Sequence, residues 1–238
     1  MIVRMGLFNR KAGLAEPAFL DHWRATHGPL IRDCMPELSG YVQNHVTDSL
    51  QRSIDYPRLP IELDGISQLF FQDLGSARRS SSADTISRLQ ADEENFLQNL
   101  LVVTALQNVV VPPPPAGQPA VKRMSLLHKR DDITVSEFQD QWLGLHAQLV
   151  SRIPGLIGYR QNLVLEIRSD RLSDNDQAPD ASVDGVVELW FADVESIETG
   201  FRSQRGLTVM THAREFIGQI STYMVDPFVV LPEQAPRT

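Results

Sequence analysis

Two histidines occupy equivalent positions in the chain and are the first candidates for proton transfer. His27 follows Trp23 by four residues, and His146 follows Trp142 by four residues. Residues four apart on a helix share a face, so each histidine is predicted to lie beneath its tryptophan. A histidine titrates at about pH 6.5 and can accept or donate a proton at neutral pH. The alternative is a structural role, with the ring bonded to a backbone carbonyl or placed as a cation at a helix C-terminus.

Two tyrosines, Tyr41 and Tyr159, form a second equivalent pair, and each begins a Tyr-x-Gln-Asn sequence. A tyrosine with an ordinary pKa of about 10 is protonated at neutral pH and is a poor base. It serves better as a hydrogen-bond donor to the oxygen of a developing enolate. We therefore predict catalytic pairs in which histidine moves the proton and tyrosine donates the hydrogen bond. The alternative for each tyrosine is an amphipathic wall residue.

The two Tyr-x-Gln-Asn sequences differ in the residue that follows them. His45 follows the first and shares a predicted strand face with Tyr41, whereas Leu163 holds the matching position in the second. His45 is thus a further catalytic candidate, and the first copy carries more polar groups. Alternatively, Leu163 only fills a pocket differently.

Five more side chains are predicted to contact a substrate. The tryptophans flank the candidate histidines, while the asparagines lie on the strand face opposite the tyrosines and are equally suited to bonding the backbone. The glutamate is a candidate base, or else an exposed or paired carboxylate. These residues are Trp23, Trp142, Asn44, Asn162 and Glu188. Arg4 and Arg123 also match and are suited to a substrate carboxylate or to a structural ion pair. His22 and His212 have no matching histidine and are expected at the surface.

Composition limits the partners and cofactors. The formal net charge is −8, which disfavours nucleic acid and anionic membranes because both bind basic surfaces. One cysteine, no signal-peptide pattern and no apolar run near about 20 residues favour a cytoplasmic protein. There is no Cys pair, HxH, HExxH, GxGxxG or phosphate-binding loop motif, so we expect neither a metal nor a cofactor. The expected partner is a small-molecule substrate.

All of these candidates belong to an internal duplication. Phe-x3-Trp-x3-His recurs at an offset of 119 residues, and Pro-x-Leu-x-Gly-Tyr-x-Gln-Asn recurs at 118. Asp-Gly-x3-Leu-x-Phe-x-Asp recurs at 120. This many identities in one order indicate a duplicated domain, whereas a solenoid would need a shorter period and more copies. We predict units at 1–112 and 120–238, joined by a proline-rich linker at 113–119.

Hydrophobic periodicity predicts the elements that position the candidates. In the first unit we expect strands at 2–10, 39–48, 65–72 and 102–111, and helices at 16–33 and 84–100. The order βαββαβ is the ferredoxin-like α+β unit. Its helices cover one face of the sheet, so the other apolar face needs a cover, which the second copy supplies. We therefore expect an intrachain, pseudo-two-fold dimeric α/β barrel that is monomeric or forms a homodimer of such barrels.

The Phe-x3-Trp-x3-His and Pro-x-Leu-x-Gly-Tyr-x-Gln-Asn motifs resemble those of the EthD family, twice and over most of the chain. The resemblance implies a dimeric α/β barrel with small cavities between sheet and helices. The family is named for ether degradation, and similar proteins are associated with methylmuconolactone isomerisation and with dehydration or cyclisation of aromatic polyketides. Such reactions move protons at carbon next to a carbonyl without a cofactor. The superfamily also contains haem enzymes, but no haem-ligand pattern is present here.

Two functions fit these observations. The first is a cofactor-independent isomerase or lyase that acts on a small carbonyl compound or lactone in catabolism or polyketide-like metabolism. The second is a non-catalytic small-molecule-binding or accessory protein of an oxidative degradation pathway. Because duplicated domains often keep one working site, we expect a single active cavity and favour the first unit.

Overall fold

The first half of the chain folds in the predicted order. A computed structural model describes residues 1–115, 117–171 and 182–234. The strands of this half are β1 (Ile2–Arg10), β2 (Gly40–Asp48), β3 (Gly65–Phe71) and β4 (Leu97–Val111). Its helices are α1 (Glu16–His22), α2 (Gly28–Cys34), α3 (Leu74–Arg79) and α4 (Ala83–Phe96), and a π-helical turn, Trp23–His27, joins α1 to α2.

The second half repeats this arrangement. Its strands are β5 (Val121–Lys129), β6 (Leu156–Arg171), β7 (Gly185–Phe191) and β8 (Ile217–Leu231). Its helices are α5 (Val135–Gln141), α6 (Ala147–Val150), α7 (Val194–Arg202) and α8 (Gln204–Ala213), with a second π-helical turn, Trp142–His146, between α5 and α6. A capping box opens α5, since the Thr134 side chain accepts from the Glu137 amide and the Glu137 side chain accepts from the Thr134 amide.

The eight strands close into one antiparallel barrel with the order β1-β3-β2-β8-β5-β7-β6-β4. Within each half the order is that of a ferredoxin-like sheet. The halves join at two seams, where β2 pairs with β8 and β4 pairs with β6. The closure satisfies the outer strands of both sheets, which would otherwise present unpaired backbone groups. The predicted intrachain pseudo-dimeric α/β barrel is therefore confirmed.

The boundary between the second helix and the fourth strand differs from the prediction. The structure ends α4 at Phe96 and begins β4 at Leu97, rather than placing helix at 84–100 and strand at 102–111. The reason is long-range pairing, because β4 pairs with β1 out to the bridge between Arg10 and Leu97 and pairs with β6 on its other edge. A separate short helix, α3, precedes α4 and begins at an Asp73 capping box.

The core has three layers. One apolar cluster draws on strands of both halves, including Met5, Ile66, Met124 and Val186, and fills the barrel. The others lie between each half-sheet and its helices, for example around Trp142 in the second half. The candidate histidines belong to these outer layers, between sheet and helix.

The tryptophan at the matching position of each half packs against a glycine on the neighbouring strand. A Cβ on Gly65 would lie 2.7 Å from Cζ3 of Trp23, and a Cβ on Gly185 would lie 2.5 Å from Cη2 of Trp142. Both indoles are fully buried, so neither can move into solvent to relieve such a contact. These glycines begin β3 and β7 and let the helix approach the sheet closely.

We expect Gly185→Ala to lower the free energy of unfolding by about 1–3 kcal/mol, because it overpacks the site against Trp142. Urea denaturation monitored by tryptophan fluorescence measures this. Gly75→Ala in α3 is the control and should change stability by less than about 1 kcal/mol, since a Cβ there meets only the ends of the Arg79 and Asp73 side chains. Equal effects of the two substitutions would contradict the packing argument.

Candidate functional site

A side-chain amide holds the π-helical turn that carries each candidate histidine. Gln43 Nε2 donates to the Trp23 carbonyl oxygen at 2.7 Å, and Gln161 Nε2 donates to the Trp142 carbonyl oxygen at 2.7 Å. In a π-turn the backbone bonds span five residues, as the Gly28 amide shows by donating to the Trp23 oxygen. In each half, the glutamine of the Tyr-x-Gln-Asn motif therefore bonds to the tryptophan carbonyl of the Phe-x3-Trp-x3-His motif.

The first half contains a cavity of about 380 Å³ between its sheet and helices. Apolar side chains form much of the wall, and polar or charged groups converge on it. The polar groups are Arg4, His27, Ser67, Arg78, Ser81, Gln90, Glu93, Thr104, Glu166 and Arg168. Glu166 and Arg168 come from β6, so the second half completes the rim. A wider depression of about 650 Å³ over residues 9–15 contains no histidine. The volume and mixed lining of the first cavity are typical of a small-molecule site.

His27 is oriented in this cavity by a carboxylate. His27 Nδ1 lies 2.8 Å from Asp92 Oδ2, and His22 Nε2 lies 3.0 Å from Asp92 Oδ1. Burial raises the pKa of Asp92, but the bonds and charges of His27 and His22 outweigh burial and lower it overall. An ionised Asp92 accepts a hydrogen bond from Nδ1–H, which leaves Nε2 of a neutral His27 as the basic nitrogen. Nδ1 is thus engaged by Asp92, and the His27 ring lines the cavity.

The corresponding group in the second half lacks the carboxylate. His146 Nδ1 lies 3.2 Å from His212 Nδ1, and His212 Nε2 lies 3.2 Å from Gln141 Oε1. Burial, followed by the charge of His212, lowers the pKa of His146 to about 3. His146 is therefore neutral at physiological pH, and among the described residues its ring bonds to His212 rather than to a carboxylate that could stabilise an imidazolium.

The second cavity is also smaller and less polar. Its volume is about 50 Å³. Four polar positions of the first cavity become apolar at an offset of 120 residues: Ser67 to Val187, Ser81 to Phe201, Gln90 to Met210 and Glu93 to Ala213. Ile54, from the connection between β2 and β3, also lines the cavity. The two halves thus keep one fold but differ in available space and charge.

The other first-half candidates do not line this cavity, and Tyr41 and His45 are held by other side chains. The Tyr41 hydroxyl is buried and accepts from Trp23 Nε1 at 3.1 Å and from Gln43 Nε2 at 3.3 Å. Burial raises the pKa of Tyr41 far above its ordinary value. His45 Nδ1 lies 2.9 Å from an Arg24 nitrogen, and burial, followed by Arg24, lowers the pKa of His45 to about 4.

In the second half, Tyr159 lines the small cavity and Trp142 lies outside it. Both side chains are fully buried, and burial raises the pKa of Tyr159. Trp142 packs against Phe138 with ring centroids 5.3 Å apart. The structure therefore brings His146 and Tyr159 to one cavity, whereas His27 and Tyr41 do not share a cavity lining.

Three predicted substrate contacts lie inside the barrel instead. Asn44 Nδ2 donates to Gln68 Oε1 at 3.0 Å, and Asn162 Nδ2 donates to Glu188 Oε1 at 2.9 Å. Glu188 Oε2 lies 2.7 Å from Lys122 Nζ in a buried ion pair. Burial raises the pKa of Glu188, but the Lys122 charge opposes burial and holds that pKa below its ordinary value. None of these three residues lines either cavity.

The comparison of the two repeats did not identify Asp92, the carboxylate that bonds to His27. Asp92 and His212 match at the offset that aligns Phe96 with Phe216, and both lie four residues before that phenylalanine. The four-residue spacing from the aligned phenylalanine could have identified both residues, because it places both side chains on the helix face that meets the candidate histidine. The expectation that His212 lies at the surface was wrong, since the residue is 7% exposed and stacks on His146.

Within the described ranges, no three His, Cys, Asp or Glu side chains converge as a metal site would require. The His22–Asp92–His27 group is a hydrogen-bonded chain in which the carboxylate separates the two rings. No helix among the described residues is long and apolar enough to cross a membrane.

Comparisons with known proteins agree with this architecture. The EthD domain model matches residues 11–99 and 130–220, once in each half. No curated protein sequence gave a significant match. Among solved structures, an anthrone oxidase-like protein aligns with 100% of this chain and 96% of its own, at 8% identity and a TM-score of 0.61. A candidate monooxygenase from Fusobacterium nucleatum aligns over 99% and 96% of the two chains, at 7% identity and a TM-score of 0.58. Another from Lactobacillus acidophilus aligns over 97% and 95%, at 9% identity and a TM-score of 0.53. At such identities these likenesses show the fold.

The low pKa of His146 makes a prediction about acid stability. A histidine in the unfolded chain has a pKa of about 6.5 and is protonated below that pH. Folded His146 becomes protonated only when the pH falls to about 3. Stability from this position is therefore complete above about pH 6.5 and declines as the pH falls towards 3. We expect His146→Asn to reduce the loss of unfolding free energy between pH 7 and 5 by about 1–2 kcal/mol. Urea titrations at each pH measure this.

The control is Val150→Ala in the same cavity wall, which should lower stability by a similar amount at every pH. If the unfolding free energy of His146→Asn depended on pH as it does in the wild-type protein, the lowered pKa assigned to His146 would be contradicted.

Proposed function

The chain belongs to the EthD domain family, with one copy in each half, and from this premise we propose that it is a cofactor-independent proton-transfer enzyme. The proposed reaction is an isomerisation or elimination on a small carbonyl compound or lactone, in catabolism or polyketide-like metabolism. The first cavity is the proposed active site. The observation that supports it is the His27 ring, fixed at 2.8 Å by Asp92 in the wall of a 380 Å³ cavity.

The chemistry follows from the protonation states of the dyad. His27 Nε2 removes a proton from carbon next to the carbonyl, and the Asp92 carboxylate stabilises the imidazolium that forms. The negative charge moves to the carbonyl oxygen of the substrate. Arg4 brings a guanidinium to the same cavity, held by Ser81 Oγ at 2.6 Å and by the Ala77 carbonyl at 3.1 Å. A cation fixed before the reaction favours a developing enolate. His27 then returns the proton to another carbon or to a leaving group.

The same argument assigns the reaction to one half. His146 lacks an anionic partner, and the 50 Å³ cavity around it leaves little room for a substrate. The second half contributes instead to the rim of the first cavity, through Glu166 and Arg168.

The direct test is deuterium exchange in D₂O, followed by proton NMR, with a butenolide and 2-tetralone as probes. We expect the wild-type protein and His146→Ala to catalyse exchange next to the carbonyl. His27→Ala should reduce the rate about 10²–10⁴-fold, because it removes the base. Asp92→Asn should also lower the rate, because the amide cannot stabilise the imidazolium. Oxygen consumption recorded in parallel separates proton transfer from oxygenation.

Exchange that survives His27→Ala and is lost in His146→Ala would contradict the assignment to the first half. Probe binding without exchange by any variant would favour the alternative, a non-catalytic binding protein.

Tyr41 provides a second test, since its hydroxyl supports the tryptophan and not the substrate. We expect Tyr41→Phe to lower the free energy of unfolding by about 1–3 kcal/mol, because the buried Trp23 Nε1 loses its acceptor. The exchange rate of the folded variant should stay within about threefold of wild type. A loss of exchange equal to that of His27→Ala would show instead that Tyr41 donates to the substrate.

A further inference from the structure

The second half contains a buried cation that its own cavity wall does not neutralise. Arg123 is 2% exposed and lines the 50 Å³ cavity. Its Nε and Nη1 have no hydrogen-bond partner in the part of the chain that the structure describes. A guanidinium carries five N–H donors and is not deprotonated at neutral pH, so the unpaired donors are an uncompensated cost of burial.

The equivalent arginine in the first half shows what Arg123 lacks. Arg4 donates to Ser81 Oγ and to the Ala77 carbonyl. Phe201 replaces Ser81 at the matching position, and its ring centroid lies 4.8 Å from the Arg123 guanidinium carbon. A cation–π contact recovers part of the lost hydration but accepts no hydrogen bond. The second half therefore has the arginine without the hydroxyl acceptor.

Among the described residues, neighbouring charges do not neutralise Arg123 either. The nearest influences are Arg52 and Asp48, and their side chains are bonded to each other. Burial, followed by Arg52, lowers the pKa of Arg123 to about 9, which leaves the guanidinium charged at neutral pH. His146 in the same wall is neutral there. The cavity thus combines a fixed positive charge, unsatisfied donors and a small volume.

We propose that this cavity is a binding site for a small monovalent anion, of the size of formate or acetate, held by Arg123. A carboxylate accepts the guanidinium donors in the geometry that arginine prefers. Ser125 and Tyr159 also line the cavity, and each carries a hydroxyl that can donate. The volume is about a third of the roughly 150 Å³ of a protein cavity that binds benzene, so the ligand has only a few heavy atoms. The site is separate from the proposed active site and independent of it.

The test is thermal unfolding of the full chain in sodium formate, sodium acetate and sodium gluconate at equal ionic strength. Formate and acetate should each raise the Tm by roughly 2–4 °C at about five times their dissociation constants. Gluconate carries the same charge but is too large for the cavity, and should give no shift beyond that of the salt. Equal shifts with all three anions would overturn the proposal.

Two variants locate the effect. Arg123→Met removes the charge at similar length and should abolish the difference between acetate and gluconate. Arg205→Met removes an exposed arginine in the same half and should leave that difference unchanged. A difference that persists in folded Arg123→Met would overturn the proposal. Should Arg123→Met fail to fold, the size dependence in the wild-type protein still decides, since an absent acetate shift refutes the site.

Discussion

The hydrogen bond from a glutamine side chain to a tryptophan carbonyl oxygen governs the geometry of both halves. Gln43 and Gln161 form it at the same 2.7 Å, each from the strand beneath its helix. The π-helical turn Trp23–His27 has one more residue per turn than an α-helix. The Trp23 carbonyl oxygen therefore accepts both the Gly28 amide and the Gln43 side chain. The bond ties helix to sheet at the place where the histidine leaves the turn. The position of the histidine is therefore set by strand β2 as much as by its own helix.

Barrel closure explains how the halves diverged while keeping that geometry. Stability of the common fold rests on the shared interior and on the seams β2–β8 and β4–β6. Side chains between each sheet and its helices were free to change. In the second half this layer became mostly apolar, and Ile54 and Tyr56 of the first half joined its cluster. In the first half it kept a carboxylate beside the histidine and an open volume.

Much of the fold could be predicted from the sequence, because the same motifs recur in the same order and indicate the same order of elements in both halves. The ferredoxin-like order of elements within each half and the closure by the second copy were both predicted. Details that depend on tertiary contacts were not. The end of α4 is set by the pairing of β4 with β1 and β6. Asp92 can be recognised as the partner of His27 only when α4 is known to pack against the π-helical turn. Tyr41 and His45 were assigned to the correct strand face, but strand periodicity does not distinguish a cavity wall from the packed layer beside it.

The barrel interior shows why the halves are not interchangeable. Lys122 of the second half lies 2.7 Å from Glu188 and donates to Asn44 Oδ1 and Gln68 Oε1 of the first half, at 2.9 and 2.8 Å. The first half has Val3 where the second has Lys122, and Gln68 where it has Glu188. Pairing two first halves would place amides without a cation in the barrel, whereas pairing two second halves would bury two ion pairs. Because the desolvation of a buried ion pair is costly, the mixed pair, which buries one ion pair, is favoured over two second halves, which would bury two. One chain with two unlike halves satisfies that requirement, and it leaves each outer layer free to take its own role.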